Sequence, residues 1–472
     1  MTAVTIDDGF WKPKLEINRT VTIPHILKEN DDTGRVANFE KAAGKKSGAY
    51  EGRRFNDTDI YKIIEAASYS LALVPDPRLS TKLDELIQLI AESQEKDGYL
   101  FPARTIDPKN PAPGVGPERW IYENGSHELY NAGHLYEAAV AHFEATGKRT
   151  LLDVAIKNAD LWNQRMFLLH GDGKYIDLFE RVLYNGVLAG VSLAGNTFFY
   201  QNPLESNGRA NRTPYFEVAC CPANLARMLE QLPGLVYAQT NDPSTELRAG
   251  PSTELRAGTI YANLYVGNHA TVKLGSRTVK IAQDTRYPWD GDVALTLDPE
   301  GRGAFTIALR IPGWSRDQPV PSDLYRYADG ASEPPSISVR SGNASPVPVA
   351  LDIRDGYVRI KRNWKRGDTI HLTLPMPARR IVAHAWVKDD DGKMAIQRGP
   401  LVFAFEAVDN GDHALDLVIQ RAVPLRSRFR ADLLDGVEVI TGDGNRPFVA
   451  VPYYAWNNRG QGEMAVWIKE KP

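Results

Sequence analysis

Apolar residues recur at helical spacing through the first half of the chain and at strand spacing through the second. In TKLDELIQLIAESQ, Leu83, Leu86, Ile87 and Ile90 share one helical face, and DTDIYKIIEAASYSLAL repeats the pattern from Ile60. SHELYNAGHLYEAAVAHFEATGK puts Leu129, Ala132, Leu135, Tyr136, Ala139, Val140 and Phe143 on one apolar stripe, with Gly147 as the predicted stop. Further helices are predicted around 151–168, 175–190 and 222–232, the last with Pro222 in its first turn and Pro233 closing it. From about Gly258 the texture changes. TIYANLYVGNHATVKL, FTIALRIPGW, GYVRIKRNW, DTIHLTLPM and GPLVFAFEA alternate or run apolar over strand lengths, with Gly, Asp and Pro between them. The pattern predicts a helical domain over 1–240, an antiparallel β-sandwich over 259–380 and a second β-rich region over 381–472.

Composition narrows the class. At 472 residues the chain exceeds one compact core, and its 43% hydrophobic and 24% charged residues are ordinary for a globular protein. A net charge of -3 gives no basis for nucleic acid or an anionic membrane as partner. No run reaches the length of a membrane span, and MTAVTIDDGFWKP lacks the basic-then-apolar order of a signal peptide, so a cytoplasmic location is expected. PSTELRAG at 243–250 recurs unchanged at 251–258, two copies too short and too few for a solenoid.

The candidate chemistry begins with Cys220 and Cys221, adjacent and the only two cysteines. They cannot build a disulfide framework, and pairing with each other would close a strained ring, so reduced thiols are expected. They stand directly before a predicted helix, whose free N–H groups and dipole lower a thiol's pKa. A thiolate there serves as nucleophile or metal ligand; buried, inert thiols are the alternative. His127, Asn131 and His134 share a helix face opposite the apolar stripe, either solvated or, in a barrel of paired helices, turned to a lumen where it binds sugar hydroxyls. His142 lies off that face and reads as structural. Glu180 and Arg181 read as surface charges, Phe198, Phe199 and Tyr200 as core aromatics that also suit sugar stacking, and Asp57 and Asp59 as helix caps. P-loop, GxGxxG, HExxH and GxSxG words are absent.

FNDTDIYKIIEAA, QEKDGYL, SHELYNAGHLYEAAVAHFEATGKR, NQRMFLLHGDGKYIDLFERVLYNGVLAGVSL, FFYQNPLES and ACCPAN together resemble glycoside hydrolase family 127, the β-L-arabinofuranosidase-like group. The resemblance spans much of residues 1–235. It implies a catalytic (α/α)6 barrel followed by antiparallel β-sandwich domains, and a retaining glycosidase acting on plant-type arabinofuranosides. It also implies that Cys220 attacks the anomeric carbon and that Cys220 and Cys221 ligate zinc. By motif, His127, Glu180 and Tyr200 belong to the substrate pocket, with His134 a neighbour.

This chain departs from that pattern in one place. The family completes the zinc site with a Glu and a third Cys in an E-x-C-A word, and carries its acid/base Glu shortly before; here NADLW runs straight into NQRMFLLHGD near 161–163. The predicted helices number roughly seven, against twelve in a complete barrel. An incomplete barrel exposes apolar faces, so association of copies, as in a homodimer, is expected. Glu180, Glu217 or another carboxylate would have to act as acid/base, without positive support. A carbohydrate-binding member without turnover, or a truncated gene model of an active one, are the alternatives.

Overall fold

The computed structural model describes residues 3–96, 98–119, 122–159, 173–216, 220–240, 258–275, 277–301 and 303–471. The junction at 161–163, Glu217, the PSTELRAG repeat and the side chain of Cys220 lie outside the described residues. Helices fill the first half. α1 (Trp11–Ile17) runs through a π-turn (Asn18–Thr22) into α2 (Ile23–Asp32), followed by α3 (Arg35–Ala42), α4 (Asp57–Leu73) and α5 (Pro77–Ser93). The short α6 (Pro102–Thr105) and α7 (Glu123–Ser126) precede α8 (Glu128–Thr146), α9 (Thr150–Ala159), α10 (Lys174–Arg181) and α11 (Cys220–Leu235). Among the described residues, no helix is long and apolar enough to cross a membrane.

Local chemistry sets several of these ends. Asp76 accepts hydrogen bonds from the N–H groups of Arg78 and Leu79, and Pro77 occupies the first turn of α5, whose Leu83, Leu86, Ile87 and Ile90 are buried as their spacing predicts. Gly147, at φ 72°, ends α8 in the left-handed conformation that glycine adopts without strain. Two predicted ends differ. α11 continues two residues past Pro233. Asp57 and Asp59 do not cap α4: Asn56 holds the cap position, Asp57 accepts from Tyr50, and Asp59 pairs with Arg35 at 2.8 Å.

α4 is the centre of the helical region and packs against α2, α8 and α11. The face of α8 that it meets differs from the predicted stripe. Buried are Glu128, Asn131, Ala132, Leu135, Ala138, Ala139 and His142, whereas Leu129, Val140 and Phe143 remain 36–39% exposed. Alanines let α8 approach α4 closely, which turns the larger side chains away. α10 is more extreme. Its Asp177 and Glu180 face inward while Tyr175, Leu178 and, just past its end, Val182, at one-turn spacing, stand about half exposed. Among the described residues, no helix covers these apolar faces.

The second half is antiparallel sheet with limited exceptions. A seven-stranded sheet runs Ala3–Ile6, Asn268–Leu274, Arg277–Thr285, Asp292–Pro299, Asp368–Thr373, Ser336–Arg340, Val347–Val349. A five-stranded sheet runs Ile353–Arg354, Tyr357–Arg362, Phe305–Arg310, Thr259–Ala262, Tyr237–Thr240. Their inner faces share one core, with Val272, Val279, Leu295 and Ile370 of one sheet and Ile260, Ile307, Leu309 and Val358 of the other. A third sheet, built mainly from Ala378 onward, completes the chain. Two strands join these sheets from far away in sequence. Ala3–Ile6 edges the sandwich beside Asn268–Leu274, and Glu205–Asn207 pairs with Glu463–Ala465 of the third sheet. The helical region is thereby stitched to both β regions.

Candidate active site

α11 opens on Cys220 and Cys221 themselves, earlier than the predicted start. Both residues therefore sit in the first turn, where backbone N–H groups lack helical acceptors and the dipole favours an anion. Cys221 is half-buried. The segment leading to the pair is anchored: Thr213 bridges Phe198, Pro214 O contacts His25 Nε2 at 2.9 Å, and Tyr215 donates to Asn30. Tyr200 meets Phe216, four residues ahead of Cys220 in the chain, edge-on at 5.4 Å and is half exposed. Phe198 and Phe199 are buried, the latter stacked on Trp456.

Asn224, Arg227 and Gln231 follow Cys220 at four, seven and eleven residues, the spacing of one helix face. That face meets a polar seam formed by α4 and α8. Glu65, almost fully buried, accepts from Gln231 at 2.8 Å and lies 3.4 Å from Arg227, which also pairs with Glu137 at 2.8 Å. Burial pushes the Glu65 carboxyl up to about 7, with Arg227 pulling it down and Glu137 pushing it further up. His134 lies 3.3 Å from Glu137; burial lowers its pKa, which favours neutral imidazole. Lys62, wholly buried, reaches Tyr130 Oη at 2.7 Å and stands over its ring.

His127 closes one end of the seam. It precedes α8 in the left-handed conformation, φ 63°, which is costly for a side chain of its size and marks a held position. Its Nδ1 lies 2.8 Å from the Gly125 carbonyl, which must accept, so Nδ1 carries the hydrogen of that bond. The ring packs on Phe55 at 5.0 Å. Among the described residues, Ser126 Oγ and Asn131 Oδ1, close by in the chain, are buried without a hydrogen-bond partner. Unsatisfied buried oxygens are costly, and hydroxyl groups of a ligand are suitable partners.

The structure thus links His134 through Glu137 to α11, places Tyr200 near the cysteine segment and sets His127 at the seam's end. Glu180 stands apart. It is buried and bonded to Arg310, Tyr287 at 2.8 Å and Trp314 at 3.3 Å, all in the sandwich. Arg310, fully buried, also takes Asp177 at 2.7 Å. Arg181 donates to Pro319 O and Gln397. The surface reading of Glu180 and Arg181 does not fit this placement. Both anchor α10 to the β regions, Glu180 as a carboxylate partner that the buried Arg310 guanidinium requires and Arg181 through its bonds to Pro319 O and Gln397. His142 is buried and 3.2 Å from Ser68, in keeping with a structural role.

Sequence reasoning missed Lys62, Glu65, Arg227 and Glu137. The one available signal was the run Thr58, Lys62, Glu65, Tyr69, a polar line at one-turn spacing through an otherwise apolar helix. Among the described residues, no group of three or more His, Cys, Asp and Glu side chains converges to hold a metal ion.

Comparison with known proteins follows the same division of the chain. A family model described as beta-L-arabinofuranosidase, GH127 catalytic domain, matches residues 3–162 and, as a second segment, 158–234. The GH127 middle domain matches 259–376 and the GH127 C-terminal domain 378–469. The chain is 24% identical to a non-reducing end beta-L-arabinofuranosidase of Bifidobacterium longum subsp. longum, over 698 aligned positions covering 98% of this chain and 99% of the relative. Set against 472 residues, 698 positions mean that at least 226 positions of that relative have no counterpart here. A solved GH127 beta-arabinofuranosidase superposes with a TM-score of 0.87 at 31% identity, covering 99% of this chain and 96% of that one. A GH127 beta-L-arabinofuranosidase from Geobacillus stearothermophilus T6 gives 0.84 at 28%, covering 99% and 100%.

Proposed function

Because the chain belongs to glycoside hydrolase family 127 and is by family a glycosidase, we propose that it acts on plant-type β-L-arabinofuranosides through the thiolate of Cys220. The observation that carries the reading is the position of Cys220 at the first residue of α11, where the helix terminus favours the anionic sulfur. In this reading a C–S bond forms at the anomeric carbon as the glycosidic C–O bond breaks, and the leaving oxygen takes a proton. Water then displaces sulfur, so two inversions retain configuration. Tyr200 supplies a stacking face, and His127 and His134, with the unpartnered Ser126 and Asn131 oxygens, supply hydrogen bonds to sugar hydroxyls.

Two parts of the family chemistry lack residues here. Tetrahedral zinc needs four ligands, and Cys220 and Cys221 supply two. No described group completes the set, so the described residues do not fit a closed zinc site and no step is routed through one. The acid is the second gap. Glu65 can hold a proton at neutral pH, but it meets α11 at Arg227 and Gln231, about 10 Å or more along the axis from Cys220. That is too far for direct proton transfer to a leaving group. These gaps, with the two-part match breaking at 158–162, favour a second reading, a carbohydrate-binding member without turnover. In either reading a carbohydrate is the partner, and copies of the chain pair as a homodimer through the exposed apolar faces of α8 and α10.

Hydrolysis of 4-nitrophenyl β-L-arabinofuranoside separates the two. The first reading expects arabinose release that Cys220→Ser abolishes. Release that survives Cys220→Ser overturns the nucleophile, and sugar binding without release at any pH establishes the second reading. Metal analysis of the purified protein is expected to find less than one zinc per chain.

A further inference from the structure

A cavity of about 130 Å³ lies between α1, the π-turn, the 188–195 segment and residues of the β regions. It borders α11 through Leu229, two residues on from Arg227 and so on the opposite face from the polar seam. Its walls are aromatic. Phe10 meets Trp289 at 5.2 Å and Tyr454 at 5.7 Å, and Trp289 meets Phe429 at 5.6 Å, all edge-on or steeply inclined. Lys14 enters this ring, its Nζ 4.1 Å from the centroid of Phe10 and 5.0 Å from that of Tyr454. Among the described residues its ammonium has no hydrogen-bond acceptor or ion pair; the charge rests on ring faces, with Asp435 and Asp8 acting at longer range. Asn18, 1% exposed, gives its Nδ2 to Ala226 O and Glu230, which among the described residues leaves Oδ1 buried without a partner. Asp435 completes the lining from an exposed loop.

Each feature narrows the ligand. Three unpaired N–H donors and an orphaned amide oxygen disfavour a purely apolar guest, which would leave both unsatisfied. Lys14 and Asp435 together carry no net charge, so the lining favours a neutral molecule over an anion. Aromatic faces beside mixed donors and acceptors match a ring that has C–H faces and a hydroxyl rim.

We propose that this cavity is a second carbohydrate site, separate from the Cys220 end of α11, which takes one neutral monosaccharide against Trp289 with hydroxyls on Lys14, Asn18 and Asp435. Its occupant touches the same helix that carries the cysteines, through Leu229 and through the tie of Asn18 to Ala226 and Glu230.

Calorimetric and ligand-observed NMR titrations of the full chain with L-arabinose, D-xylose and D-galacturonate test this, in a Cys220→Ser, His127→Ala background that disables the first site. At least one neutral sugar is expected to bind, and Lys14→Met and Asp435→Asn are each expected to weaken it at least about tenfold. Lys14→Met keeps the aliphatic packing; Asp435→Asn, on an exposed loop, serves if the first variant fails to fold. Absence of binding by both neutral sugars, binding unaffected by Asp435→Asn, or tighter binding of galacturonate than of either neutral sugar overturns the proposal.

Discussion

Replacing Glu65 by Gln exposes the energetics of the polar seam. Glu65 is 1% exposed, and its carboxyl stands at about 7 in the folded chain against an ordinary 4.5. The cause is burial first, with Glu137 adding repulsion, while Arg227 and the Tyr69 hydroxyl oppose it. A raised acid pKa means that the folded form holds the proton more tightly than the unfolded form between those two values. Its contribution to stability is therefore complete below about pH 4.5 and lost as pH rises through 7. At 1.36 kcal/mol per pKa unit the loss is roughly 3 kcal/mol. Gln occupies the same volume, still accepts from Gln231 and does not titrate. The stability difference, Gln variant minus parent, should thus climb by roughly 3 kcal/mol between pH 4.5 and pH 8. Urea unfolding followed by far-ultraviolet circular dichroism across that range measures it. A difference that stays flat, or falls with pH, refutes the argument, because it means that Arg227 keeps Glu65 ionised throughout.

Arg310→Met removes the guanidinium between Asp177 and Glu180 and leaves Glu180 buried without its counter-ion, a loss of about 3–5 kcal/mol. Adding Glu180→Gln should recover part of it, and equal melting temperatures for the single and double variants would exclude the ion-pair account. Leu178→Glu places charge in the exposed stripe of α10 and should reduce concentration-dependent association in sedimentation velocity runs; unchanged association would move the contact elsewhere. Iodoacetamide should alkylate Cys220 with a pH inflexion below the 8.5 of a free thiol, and an inflexion at or above it removes the helix-terminus argument.

The two halves of the chain and its family words were legible because helix and strand periods are local properties, written within a turn or a pair of residues. The cysteine pair was legible for the same reason, as its place at a helix start depends on a few neighbouring residues. The orientation of those elements was not. In α8 the expected stripe of Leu129, Val140 and Phe143 turned outward because alanines on another face allow close contact with α4. In α10 the charged face turned inward because Arg310, more than a hundred residues away, needed two carboxylates. Pairing of Ala3–Ile6 with Asn268–Leu274, the seam joining Glu65 to Arg227, and the ring of aromatics around Lys14 likewise join residues remote in sequence. By itself the sequence determined which elements form and which family they belong to. Only the tertiary structure decided which face of each helix is inside, because burial is set by whatever stands opposite.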